Sequence, residues 1–396
     1  MTLARYLKLR GVRSLSTLPK DKGNLTGIKE KSFASADYQF LQESPVNSEY
    51  FQSSLFRLPI PKLQDTCSRY LATQKQLLDE KTYEITEKNV KAFMSQEGPQ
   101  LQKRLVQKDK NNKETSYISG PWFDMYLKDR RPVSFTHNPG LSLINDPREE
   151  FNRNPPLRMA SVIISILRFH KSLQAKKLYP DVFHMKPHET DNAKFWSKVK
   201  WMPKLIATPL AYYLNVYPLD MSQFSNVLNS TRLPLEGKDA IQSFADSKHL
   251  VILHKGRLFS FDGLDENGDL MEPGYYLSAI HSILHEKDHI KSQDIGALTS
   301  LDRDKWTNVR KRLVELGNAE KLREIDSAII TICLDSWDFN EENPEQVVSE
   351  LCCGSEPSNR WFDKAVSMIF SRNGLLGINF EHAWGKRDLF IITVIA

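Results

Sequence analysis

A predicted β-hairpin late in the sequence constrains the fold of the chain more than any other feature. Two apolar runs of strand length, Val366–Phe370 and Leu375–Phe380, enclose Asn373 and Gly374. Asn-Gly is the strongest short-range hairpin signal, because both residues tolerate positive φ. The second strand would end at Phe380 and leave His382 at its mouth. A histidine in such a place is most often a solvent-exposed or hydrogen-bonded side chain, so its position alone does not indicate catalysis.

The composition is typical of a globular protein with one large domain or two ordinary ones. Of the 396 residues, 40% are hydrophobic and 26% are charged. The net charge of +5 is spread over 54 basic and 49 acidic side chains, so it does not indicate a nucleic-acid partner. The cysteines show neither zinc spacing nor the density of a secreted disulfide scaffold, and we expect reduced thiols. They are Cys67, Cys333, Cys352 and Cys353.

The first 20 residues have the composition of a mitochondrial transit peptide. They contain basic and serine residues and no acid, and the basic residues interrupt the apolar run that a secretory signal needs. The alternative is a disordered basic tail. Residues 21–50 are polar and aperiodic, and we interpret them as a linker. The basic residues are Arg5, Lys8, Arg10, Arg13 and Lys20.

Hydrophobic periodicity predicts the main helices and strands. The prolines at 59 and 61 give an extended entry to a helix capped by Asp65 or Thr66 and ending near Leu78. Residues 86–108 favour two helices with a break at Gly98-Pro99. Residues 155–178 predict a core helix that begins with two prolines. Further predictions are strands at His249–His254, Arg257–Asp262 and Ser327–Leu334, and helices at Asp302–Leu316 and Pro344–Leu351.

Two segments superficially suggest metal ions. In the loop Asp262–Asp269 the acids do not fall at the positions of a calcium-binding EF-hand, so a polar turn is predicted. His281, His285 and His289 recur every four residues, but Ser282 stands where the zinc-protease motif has glutamate. A solvated helix face explains these histidines better, and we predict no metal site.

Residues 192–219 contain no acid and interleave lysines with tryptophans and aliphatic side chains. This mixture is typical of a membrane interface. Pro203, Pro209 and the lysines exclude a spanning helix here, and no run of about 18 apolar residues occurs in the chain. The alternative is a basic helical hairpin packed on its own domain. The predicted lipid contacts are Lys194, Trp196, Lys198, Lys200, Trp201 and Lys204.

Several long segments of the sequence resemble segments of the carnitine and choline acyltransferases. The likeness covers roughly residues 50–385 and is greatest to the long-chain members of the mitochondrial inner membrane. It implies an α/β fold over residues 51–385, namely the N-terminal half of a two-domain acyltransferase with a mixed β-sheet surrounded by helices. The segments that carry the resemblance are LPIPKLQDT from Leu58, TSYISGPWFDMYL from Thr115, YPLDMSQ from Tyr217, NSTRLP from Asn229, and RWFDK with FEHAWG between Arg360 and Gly385.

The resemblance also implies a chemistry. Family members exchange an acyl group between coenzyme A and carnitine, here a long one used in fatty-acid import and β-oxidation, with both molecules as substrates and no cofactor. His382 would be the general base. Trp122 and Tyr126 would line the substrate channel, although such aromatics are usually core residues. The long-chain members carry an insertion at residues 192–219, which implies peripheral attachment to lipids on the matrix side of the inner membrane.

The sequence departs from the family pattern directly after His382. The family has an acid four residues later that orients the imidazole, and Lys386 stands there instead. The family's carnitine pocket, oxyanion-stabilising serine motif and most of its coenzyme A site belong to a C-terminal half. We therefore expect a truncated, poorly soluble isoform with little activity, its residues 386–396 being an aberrant tail read through from an intron. The alternatives are an active acyltransferase and a membrane-surface binding or regulatory module.

Overall fold

The computed structural model describes residues 13–14, 35–112, 115–286 and 294–383. Of the predicted transit peptide only residues 13–14 are described, and residues 21–34 of the linker, His289, Lys386 and the tail lie outside the described residues. The chain divides into two compact units, Leu55–Asp124 and a larger unit of Met1–Ser54 with Met125–Ala396.

The described residues of the smaller unit form helices, and those of the larger unit form helices and strands. The helices are α1 Ala36–Gln39, α2 Leu63–Leu77, α3 Glu80–Ser95, α4 Gly98–Asn111, α5 Ser119–Leu127, α6 Val133–Thr136, α7 Glu149–Arg153, α8 Pro155–Gln174, α9 Pro187–Thr190, α10 Ala193–Val199, α11 Ala207–Tyr213, α12 Pro273–Leu284, α13 Arg303–Leu313, α14 Ala319–Ser327 and α15 Pro344–Cys352. The strands are β1 Arg13–Ser14, β2 Gly140–Ser142, β3 Val182–His184, β4 Val216–Pro218, β5 Ser230–Leu233, β6 Ala240–Ser243, β7 His249–His254, β8 Arg257–Asp262, β9 Thr331–Leu334, β10 Val366–Phe370 and β11 Leu376–Phe380.

The smaller unit is helical. The predicted break at Gly98-Pro99 is confirmed, since α3 ends at Ser95 and α4 begins at Gly98. The predicted cap of α2 is wrong, because the helix already begins at Leu63 after Lys62, and Asp65 lies inside the first turn. There its charge still favours the positive end of the helix dipole.

The larger unit is built on a mixed seven-stranded sheet in the order β1-β8-β7-β9-β10-β11-β2. β9 is parallel to β7 and β10, whereas β11 is antiparallel to β10 and β2. The predicted α/β fold with a mixed sheet among helices is confirmed. Two small antiparallel pairs, β3 with β4 and β5 with β6, stand beside the main sheet.

Helices bury both faces of the sheet. Alternate side chains of one strand enter different apolar clusters, as Ile252 and Val251 of β7 do. The first cluster contains Ile163 of α8 and Ile280 of α12, and the second contains Trp306 of α13. Burial on both faces explains why β7, β9 and β10 read as continuous apolar runs and not as alternating ones. The predicted core helix α8 is confirmed.

Several boundaries differ from the sequence predictions. Ser327 is the last residue of α14, and β9 begins only at Thr331. The observed strand is therefore shorter than the predicted strand Ser327–Leu334. Helix α13 ends at Leu313 and continues as a π turn in which Gly317 takes a φ of 84°. Strand β2 was not predicted; its few residues carry no strong periodic signal.

Candidate active site

The predicted hairpin delivers His382 to the end of the sheet. Its strands β10 and β11 are buried throughout, and Gly374 N donates to Ser371 O over 3.0 Å to close the turn. Of the Asn-Gly pair, Gly374 takes a positive φ of 85° and Asn373 does not. His382 is half-buried between the buried Glu381 and Ala383. From Leu376 to Ala383, His382 is therefore the one residue that is not buried.

Aromatic rings form the immediate surroundings of His382. Tyr126 of α5 meets the imidazole edge to face with ring centroids 5.0 Å apart, and Phe380 of β11 does so at 6.2 Å. On its other side Tyr126 contacts the ring of His137 at 5.1 Å. The structure thus brings Tyr126 to the predicted base. Trp122 lies one turn earlier on α5, within the smaller unit, and its place in a substrate channel stays a prediction.

His137 is a second histidine near the site, but it has a partner of its own. Its Nε2 lies 3.0 Å from Oδ2 of Asp129. Burial lowers the pKa of His137, with the Asp129 carboxylate opposing that effect. The ring of Tyr126 contacts both imidazoles, so it lies between His137 and His382.

Glu381 fixes the main chain on both sides of His382. Its backbone N donates to Ala365 O over 3.0 Å, which continues the pairing beyond β11. Its buried carboxylate accepts from Ala383 N at Oε2 over 3.0 Å and from Arg232 Nη1 at Oε1 over 2.8 Å. The backbone of the histidine is held by a side chain that no solvent reaches.

Arg232 of β5 joins this clamp to the aromatic wall. The guanidinium is fully buried and donates from Nη2 to the carbonyl O of Tyr126 and from Nε to Oδ2 of Asp239, both over 2.8 Å. One cation thereby positions the residue before His382 and the residue whose ring packs on it. A buried charge of this kind is stable only when it is paired and fully hydrogen-bonded.

The charge pairs continue away from the imidazole. Asp239 also accepts from Arg303 Nε over 2.6 Å, and Arg303 Nη1 donates to Asp363 over 2.6 Å. The indole N–H of Trp306 donates to the other oxygen of Asp363 over 2.6 Å. We call Arg232, Asp239, Arg303, Asp363 and Glu381 the buried charge network; every member is buried.

Sequence reasoning did not predict this network, although part of its signal was present. Arg232, Asp363 and Glu381 lie within family-like runs of sequence, each next to an apolar side chain, namely Leu233, Phe362 and Phe380. A charged residue in such a run is a candidate for a buried pair, since lone burial is costly. Asp239 and Arg303 stand in polar surroundings that carry no such signal.

The segments considered for metals have ordinary structures. Asp265 Oδ1 accepts from the backbone N of Asn267 and of Asp269 over 2.8 Å, so the acidic loop is a polar turn as predicted. Helix α12 ends at Leu284, which leaves His281 in its last turn and His285 beyond it, both exposed. The predicted single helix through all three histidines therefore stops before the second one.

Residues 192–219, which we call the basic segment, form α10, α11 and β4, and their lysines are exposed. Its outermost apolar side chains are Trp201, Leu205 and Tyr213, which are 83%, 81% and 87% exposed. Trp196 is different, because it packs edge to face against Tyr179 at 4.9 Å. Within the described residues, no helix has the length and apolar character needed to cross a bilayer.

Comparison with known proteins defines the class to which this fold and site belong. Residues 58–387 match the Choline/Carnitine o-acyltransferase family, and the chain is a member of it. Among curated proteins it is similar to the mitochondrial carnitine O-palmitoyltransferase 2 of Xenopus tropicalis, with 39% identity over 354 residues, 89% of this chain and 53% of that protein. The Bos taurus protein of that name is 41% identical over 347 residues, 88% of this chain and 52% of its own length.

A more distant relative is the muscle isoform of carnitine O-palmitoyltransferase 1 of Homo sapiens. It is 28% identical over 350 residues, which are 86% of this chain and 40% of that protein. The chain spans about half the length of the palmitoyltransferase 2 relatives that it matches.

Proposed function

We propose that the chain carries the base-bearing part of a long-chain carnitine acyltransferase, with His382 as the general base. The observation that supports this most is the contrast within three residues: a reachable imidazole between two buried neighbours, clamped by Glu381 and Arg232. Positional precision of this kind is what general-base catalysis needs.

The proposed reaction needs one proton transfer at the imidazole. A ring nitrogen of His382 takes the proton of the carnitine hydroxyl while the hydroxyl oxygen attacks the carbonyl carbon of acyl-coenzyme A. A C–O bond forms and the C–S bond breaks. The thiolate of coenzyme A then accepts the proton, which returns the imidazole to its neutral form.

We further propose that this chain turns over slowly as its sequence stands. Lys386 occupies the place where the family pattern has the acid that orients the imidazole. A cation cannot accept the imidazole N–H, so the productive tautomer loses its support. The Glu381 clamp holds the backbone of His382 but does not replace that contact.

Mass-spectrometric detection of palmitoylcarnitine tests both statements. The chain and its Lys386→Asp variant should produce no more than a His382→Ala control. Joining residues 1–385 to the remaining half of the Bos taurus palmitoyltransferase 2 relative should restore formation, and His382→Ala should abolish it there. Activity of the fusion that survives His382→Ala contradicts the base assignment, whereas strong activity of the unmodified chain contradicts slow turnover.

We also propose peripheral attachment to the matrix side of the mitochondrial inner membrane. The palmitoyltransferase 2 relatives are mitochondrial by name, and the exposed lysines and apolar tips of residues 192–219 suit an anionic bilayer. Each lysine near such a surface contributes about 1 kcal/mol. Replacing four of them by glutamine should therefore reduce flotation with cardiolipin-containing vesicles by orders of magnitude. The four are Lys194, Lys198, Lys200 and Lys204.

A control with the same charge change separates local contact from net charge. Glutamine at four exposed lysines of the smaller unit should leave flotation nearly unchanged, and equal losses in both variants would refute the assignment. These lysines are Lys75, Lys81, Lys88 and Lys103. For the location, a reporter fused after residues 1–50 should enter mitochondria, and a cytosolic signal would refute import.

A further inference from the structure

A cavity of about 500 Å³ lies in the larger unit beside the basic segment. Its wall includes the rings of Tyr179, Trp196 and Phe224 and the carboxylate-bearing residues Asp181 and Asp191. Tyr179 and Asp191 are exposed, so the cavity is reached from the surface. It contains none of the residues that surround His382.

Asp181 provides a fixed negative charge in this cavity. Its backbone O accepts from Leu219 N over 2.9 Å and its backbone N donates to the sulfur of Met221 over 3.3 Å, so the main chain at Asp181 is held from both sides. In the part of the chain that the structure describes, no protein donor bonds to its carboxylate. Burial raises the pKa of Asp181, as expected of a carboxylate that lacks a counter-charge.

The aromatic wall is held in place by its own contacts. The rings of Tyr179 and Trp196 meet edge to face at 4.9 Å, and Trp196 meets Phe195 at 5.0 Å. His184, also in the wall, bonds through Nδ1 to Thr190 Oγ1 over 2.9 Å. Preorganised rings around a carboxylate form the kind of cage that binds quaternary ammonium groups.

We propose that this cavity binds a trimethylammonium group, and that the group is the headgroup of phosphatidylcholine at the membrane surface. A primary ammonium would fit less well, because a methylated cation places apolar surface against the rings while keeping its charge near Asp181. A volume of about 500 Å³ exceeds what the headgroup needs and is within the usual range of ligand pockets.

The surroundings favour a lipid as the source of that group. Phe183 and Met185, next to the cavity residues of β3, are both 57% exposed, and Trp201 of the neighbouring basic segment is 83% exposed. These side chains are suited to the apolar boundary of a bilayer. The inference rests on the proposed membrane attachment and is independent of acyl transfer.

Vesicle flotation with the full chain tests the proposal. Two vesicle types hold the same anionic lipid fraction and differ only in phosphatidylcholine or phosphatidylethanolamine as the remainder. We expect about tenfold tighter binding to the choline vesicles, from cation–π and carboxylate contacts together. Asp181→Asn and Trp196→Ala should each bring that ratio close to one. Trp201→Ala should weaken binding to both vesicles equally and preserve the ratio.

A second measurement needs no membrane and distinguishes a lipid headgroup from a free small molecule as the source of the trimethylammonium group. Tetramethylammonium, phosphocholine and carnitine are each titrated against the chain by saturation-transfer NMR, with Asp181→Asn as the comparison and Asp246→Asn as an exposed control. Binding lost only in Asp181→Asn supports the cage. Binding without vesicle discrimination would overturn the lipid assignment, and equal affinity for both vesicles with no soluble binding would overturn the cage itself.

Discussion

Replacing Arg232 by methionine should destabilise the larger unit severely, because within the buried charge network this residue bonds to both Glu381 and Asp239. Methionine has a similar reach and no charge. The change removes donors to Glu381, to Asp239 and to the carbonyl of Tyr126, at 2.8 Å in each case. Removing one partner of a buried ion pair typically costs about 3–5 kcal/mol.

The structure shows where that cost arises. Asp239 keeps Arg303 at 2.6 Å and Arg130 at 2.8 Å, so it remains paired. Among the described residues, the hydrogen bond that remains to the Glu381 carboxylate is the one from the backbone N–H of Ala383. The uncompensated charge is therefore mainly that of Glu381, and the double variant Arg232→Met with Glu381→Gln should be more stable than the single variant by at least about 1 kcal/mol.

Urea denaturation followed by circular dichroism measures these free energies. Arg312→Met, which removes an exposed pair with Glu315, is the matched control and should change the free energy of unfolding by less than about 1 kcal/mol. A loss at Arg232→Met no larger than at Arg312→Met, or a double variant less stable than the single one, would refute the reasoning.

The remaining predictions concern acid stability and backbone packing. His170 of α8 is 1% exposed, and burial lowers its pKa to about 4, so the stability it contributes is present above its unfolded pKa of about 6.5 and is lost as the pH falls through 4. In urea titrations the chain should lose about 3 kcal/mol more than His170→Asn between pH 7 and pH 4, and parallel profiles would contradict this. A Cβ at Gly296 would lie 2.4 Å from the carbonyl oxygens of Ser358 and Arg360, so Gly296→Ala should cost about 1–3 kcal/mol or more in the same denaturation assay. At Gly274 in α12 the added Cβ meets nothing within 4 Å apart from its chain neighbours and its own helix backbone, so Gly274→Ala should cost nothing, and similar losses at both sites would refute the packing argument.

The elements that sequence predicted well are those with a local cause. The two prolines that begin α8 and the Asn-Gly turn between β10 and β11 specify their elements within a few residues. Strand β2 was missed because its pairing with β11 depends on residues far away in sequence. Local pattern carries no information about such a partner.

The site divides in the same manner. The role of His382 was predicted from the family-like segments around it and from the hairpin that ends two residues earlier. The role of Tyr126 was predicted from the family-like segment that begins at Thr115. The pairing of Arg232 with Glu381 joins residues 149 positions apart, and Arg303 reaches Asp363 over 60. A single sequence shows the charges but not which charges meet in the interior.

The position of β11 between β10 and β2 has a consequence for synthesis of the chain. Its partner β2 is made first, and more than 230 residues follow before the last strand of the sheet leaves the ribosome. At typical elongation rates this interval is about 10–50 s, during which β2 has no neighbour on the side that β11 will occupy. A strand of three residues offers few open hydrogen-bonding groups to other nascent chains. The shortness of β2, which hid it from sequence analysis, thus limits misassociation during the long wait for the segment that carries His382.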